Sequence, residues 1–177
     1  MSQASKHVEW CLRKGEKEIA ECKKQGKRPK HRGLLEVKTN KEDAQEHLKK
    51  ANENLSFAVS LDSKEHGYKI VESVFYSMYH CFLAIAARFG YESKNQTCTI
   101  ALVEYLKEEG KIDIGEKFIE MMKPKEEQSN GENMSMIDMR EDYTYSSKIS
   151  VEKERIQKLI DLCKELIHQT NEIVHSK

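Results

Sequence analysis

Residues 67–90 read GYKIVESVFYSMYHCFLAIAARFG. Within this stretch Val71, Phe75, Met78, Phe82, Ile85 and Phe89 recur at alternating steps of four and three, the spacing of one α-helical face. Tyr68, Tyr79, Leu83 and Ala86 fill the flanks, so the helix is apolar over most of its circumference. A helix with so little polar surface belongs at the centre of a bundle. Gly90 ends it.

The neighbouring segments supply the helices that would surround it. Upstream, Thr39-Asn40-Lys41-Glu42 has the spacing of a capping box, and Ala44, Leu48, Ala51, Leu55, Ala58 and Val59 line one face of a helix to about Leu61. Further helices are predicted at about 6–25 (Val8, Cys11, Gly15, Ile19, Cys22), 96–109, 113–123 and 150–175. The run PKEEQSNGENMSM, 124–136, has no period and reads as a mobile loop. No segment alternates with period two for long enough to predict a strand, and no internal repeat is present. The expected fold is all-α: an antiparallel up-and-down bundle of four to five helices over 41–177. An extra N-terminal helix and a basic connector over 1–40 precede it.

The 177 residues suit one domain and carry 30 Lys+Arg against 30 Asp+Glu. That neutrality is a cancellation. Residues 1–40 hold 11 basic and 5 acidic side chains, a balance of +6, and the remainder holds 19 and 25, a balance of −6. An acidic bundle repels phosphate at long range, so any nucleic-acid contact must be local. No apolar run of 18 residues and no signal-like N-terminal apolar region is present, which leads to the expectation of a cytoplasmic protein without membrane contact. The five scattered cysteines, Cys11, Cys22, Cys81, Cys98 and Cys163, are expected to be reduced core residues.

Metal, phosphate-loop and hydrolase signatures are missing, and the seven histidines have no ligand spacing, so no metal and no cofactor is expected. Three features remain. On the central helix, Tyr76, Tyr79 and His80 lie within about one turn, either as buried amphipathic residues or as one wall of a polar pocket. Before the last helix, Arg140, Asp142, Tyr143 and Tyr145 combine a planar cation with phenol groups, which suits RNA or nucleotide phosphate; a local Arg140–Asp142 ion pair is the plainer alternative. In the connector, Lys23, Lys24, Lys27, Arg28, Lys30 and Arg32 form a basic patch, either a phosphate contact or a solvated linker.

The order HLKKANENLSFAVSL, GYKIVESVFYSMYHCFLAIAARFGYESKNQ, a short helix, then REDYTY before a last amphipathic helix resembles the HEPN domain (higher eukaryotes and prokaryotes nucleotide-binding) of stand-alone prokaryotic and archaeal type, over about residues 41–175. The resemblance implies a homodimer with polar groups near its two-fold axis. Many such proteins are metal-independent ribonucleases whose motif is Arg, four to six residues, then His, supported by a polar residue of the second helix. Arg140 holds the Arg position here, and His80 or Tyr76 the supporting one. After Arg140 the chain runs Glu-Asp-Tyr-Thr-Tyr-Ser-Ser, so Tyr145 or Ser146 stands where His is expected. Tyrosine, with an ordinary pKa of about 10, is a poor base at neutral pH.

The expected function is therefore binding of a nucleotide, RNA or protein partner through a polar groove near the last helix, without the usual ribonuclease activity. The alternative is an active metal-independent endoribonuclease using Arg140, His80 and Tyr145, the toxin of a toxin–antitoxin pair. In that case the resemblance implies a small nucleotidyltransferase partner, with Tyr145, then Tyr143, as the residue it would modify.

Overall fold

The computed structural model describes residues 2–129 and 134–176. Among them are seven α-helices: α1 (Gln3–Lys24), α2 (Lys41–Ser60), α3 (Ser63–Arg88), α4 (Gln96–Glu108), α5 (Glu116–Met122), α6 (Met136–Tyr145) and α7 (Lys153–His175). The all-α bundle is present. Its starts are set by side-chain oxygens that accept the open N–H groups of the first turn: Asn40 for α2, Asp62 for α3, Asn95 for α4 and Ser135 for α6. The cap of α2 is Asn40, one residue beyond the predicted Thr39.

Helix α3 is central, packed on α2, α7, α6 and α4. By length and composition it is apolar enough to span a bilayer, yet 72% of its most apolar window is buried inside the bundle. Phe75, Met78, Phe82 and Ile85 are almost fully enclosed, each worth roughly 2–3 kcal/mol relative to exposure. The core continues through Leu102 and Leu106 of α4, Phe118 of α5 and Leu159 and Leu166 of α7. Gly67, near the start of α3, lets the segment before α7 lie against the helix: a Cβ there would sit 2.5 Å from the Val151 nitrogen. The Tyr68 N–H donates to the Ile149 carbonyl at 3.0 Å across the same contact.

The N-terminal extension belongs to this core. Val8 and Cys11 are buried in it, and α1 lies on α4. Gly15 of α1 and Gly33 of the connector meet backbone to backbone, since a Cβ on Gly15 would collide with the Leu34 carbonyl.

Four expectations need revision or extension. The five cysteines are not all reduced: Cys11 and Cys98 form a disulfide, their Cα atoms 5.9 Å apart, and Cys22, Cys81 and Cys163 are free. The pair lies 87 residues apart in sequence, and only the packing of α1 on the first turn of α4 brings it together. A short antiparallel pair exists, β1 (Leu34–Glu36) with β2 (Tyr91–Ser93); three residues are too few to show a period. The REDYTY segment is itself helical, within α6, because Ser135 caps it and Met136, Ile137 and Met139 anchor its first turn in the core. Of the predicted mobile loop, 130–133 lie outside the described residues. On its flanks Lys125–Glu127 forms a 3₁₀ turn, and Gln128 and Ser135 are buried.

Candidate functional site

Arg140 lies where α6 crosses α3. Its guanidinium carbon stands 4.6 Å from the centre of the Phe75 ring, a distance at which a cation is attracted to the π face. Phe75 is itself held: it is buried, meets Tyr76 edge-on at 5.3 Å and stacks on Tyr79 at 6.2 Å. The platform is therefore rigid. Among the described residues Arg140 makes one side-chain hydrogen bond, from Nη2 to the exposed Glu141 carboxylate at 3.3 Å. Its Nε–H is buried and has no partner among the described residues. A buried donor without an acceptor is costly.

Beside this helix, α6 and the start of α7 enclose a cavity of about 410 Å³ lined by Asp138, Asp142, Tyr143, Lys148 and Arg155. Asp142 does not pair with Arg140. It accepts from Lys148 Nζ at 2.7 Å, and that hydrogen bond, with the carboxylate charge, raises the lysine's pKa. Asp138 is committed to the Lys125 N–H at 2.9 Å. Tyr143 is half-buried against the core, whereas Tyr145, the last residue of α6, is 86% exposed. Arg155 and Lys148 are cations that sequence reading did not single out; both follow REDYTY within fifteen residues of Arg140.

The three polar residues of α3 diverge. Tyr79 turns to α4, where its hydroxyl meets Thr99 Oγ1 at 3.2 Å, and burial raises its pKa. His80 turns to α2, its Nδ1 3.0 Å from Nδ1 of His47. Tyr76 is exposed, beside Phe75. Phe75 and His80 are five residues apart, about 140° around the helix, which is why Arg140 and His80 meet different elements. Burial lowers the pKa of His80 to about 4, aided by His47 and Lys50; His47 is lowered chiefly by its own burial. Both rings are neutral at pH 7, and one Nδ1–H must donate to the other nitrogen.

All six residues of the basic patch are exposed. The Arg32 N–H donates to the Glu18 carboxylate. Glu18 and Glu21 also line a cavity of about 520 Å³ shared with Lys27, Lys30, Arg32 and Lys94. The patch thus carries its own counter-charges. His31, in the same run, is buried and bonded to Glu92 at 3.1 Å.

No protein-family model matches the chain, and no curated protein matches it.

Proposed function

We propose that this chain is a HEPN-like binding protein that recognises the phosphate of a nucleotide or RNA at the α3–α6–α7 corner, without cleaving it. The observation that carries this reading is Arg140: a permanent cation fixed on Phe75, with a buried Nε–H that lacks an acceptor among the described residues. A phosphate oxygen is met by the Nη donors, which make one bond, from Nη2, among the described residues, and it reaches the Nε–H when the groups covering that atom shift. Tyr76, exposed next to Phe75, gives a base a ring to stack on. Arg155 adds positive charge to the adjoining cavity, where Lys148 is paired with Asp142, and the contact stays local in an otherwise acidic bundle.

Cleavage of RNA by the family's route needs a group that takes the 2′-OH proton beside the arginine. His80 pairs with His47 towards α2, and Tyr145 extends into solvent at the end of α6. Neither supports that role, so binding is the better reading. The homodimer rests on the family resemblance and is tested by light scattering on the purified chain.

The test is fluorescence anisotropy with a labelled single-stranded RNA oligonucleotide, and calorimetry with ATP. Arg140→Ala should weaken binding about tenfold or more, the worth of one charge-assisted hydrogen bond, with its melting curve as the control for folding. Arg140→Lys should fall between. Equal affinity in wild type and Arg140→Ala would overturn the proposal, as would RNA cleavage by the wild type that Arg140→Ala loses.

A further inference from the structure

Away from this corner, His7, Cys11 and Cys98 bring three ligand atoms within 4.8 Å of one another. His7 and Cys11 are four residues apart on α1 and so share a face. Cys98 comes from the first turn of α4, its N–H capped by Asn95 Oδ1 at 2.9 Å. We propose that, once the Cys11–Cys98 disulfide is reduced, these three side chains bind one zinc ion.

Four features support the site. The donor set is two sulfurs and one imidazole, which zinc prefers, and three protein ligands leave a fourth position open. Metal–ligand bonds of about 2.0–2.3 Å place ligand atoms about 3.5 Å apart; the His7 ring lies within 4.8 Å of both sulfurs, and the sulfurs, bonded to each other in the oxidised chain, separate to that spacing on reduction. The ligands come from two regular helices, His7 and Cys11 from α1 and Cys98 from the first turn of α4. Two thiolates and a neutral imidazole bring a divalent ion to zero net charge, which fits cysteines that are both fully buried. His7 lines two cavities, of about 250 Å³ and about 700 Å³, each also lined by Glu104 and Glu127. Glu104 is committed to Lys123 at 2.7 Å.

The chemistry balances with a dithiol reductant. The reductant gives two electrons and two protons and becomes a disulfide; the Cys11–Cys98 bond breaks into two thiols. Zinc then displaces both thiol protons to solvent. The disulfide and the zinc are alternative ties between α1 and α4, and a reducing compartment selects the second.

The full chain, reduced with dithiothreitol and desalted without oxygen, should take up one zinc ion per chain in competition with a chromophoric chelator. Cobalt should give thiolate charge-transfer absorption in the near ultraviolet. The oxidised chain should take up none at this site. Cys11→Ser with Cys98→Ser should abolish the cobalt band, and His7→Ala, which keeps both cysteines and the oxidised fold, should weaken metal uptake and shift the cobalt spectrum. Cys22→Ser should behave as wild type. The proposal is overturned if reduced wild type holds no more metal than the double serine variant, if His7→Ala leaves affinity and spectrum unchanged, or if Cys22→Ser removes the band.

Discussion

Two sides of α3 each set an aromatic ring against a nitrogen-bearing side chain, and they do opposite things. Towards α2, His80 meets His47: two bases whose burial keeps them neutral, each using the other as its hydrogen-bond partner. Towards α6, Phe75 carries the guanidinium of Arg140, which has a donor left over among the described residues. The first contact is satisfied and closed. The second is charged and incomplete, and only an incomplete contact has anything to offer a ligand.

A perturbation remote from both sides sets the scale. Replacing Cys11 and Cys98 by serine removes a link across 87 residues and should cost about 4 kcal/mol in urea unfolding of the oxidised chain, with the pH dependence of stability and Arg140 binding intact. Phe75→Ala should cost about 3–4 kcal/mol as a buried cavity. It should also remove the platform under Arg140, so that ligand affinity falls in a chain that still folds; affinity equal to wild type in folded Phe75→Ala would separate Arg140 from its ring.

The histidine side is broken by acid. Because the folded pKa of His80 is about 4 against an ordinary 6.5, the unfolded chain takes up its proton first as pH falls. This contribution to stability is whole above about pH 7 and drains between 6.5 and 4. The ring is partly exposed, so the loss should be on the order of 1 kcal/mol. Urea midpoints at pH 7 and pH 5 measure it, and His80→Gln should flatten the difference. Binding at Arg140 should be the same in that variant, which is how the two sides are shown to be independent.

The difference between the two sides also shows what the amino-acid sequence conceals. The period of Val71, Phe75, Met78, Phe82, Ile85 and Phe89 is a property of one helix, so α3 and its central place were legible. Helix α6 was not, because its apolar residues crowd into one turn, Met136, Ile137 and Met139; Ser135 with Asp138 three residues on was the signal that could have marked it. Arg140, Asp142 and Tyr143 were legible as residue types. Partners across the fold were not: Phe75 reaches Arg140, Lys148 reaches Asp142 and His47 reaches His80 through tertiary packing, as Cys11 reaches Cys98. Tyr76, Tyr79 and His80 show the same limit from the other direction. Close in sequence, they face solvent, α4 and α2.

The claim that Arg140 is held ready for a phosphate is tested most directly by the salt dependence of RNA-oligonucleotide binding in wild type and Arg140→Ala. Without the cation that neutralises one phosphate, the slope of log affinity against log salt should be shallower by about 0.7, the single-strand value, together with the drop in affinity. Identical slopes and affinities in the two proteins, both folded, would contradict the account.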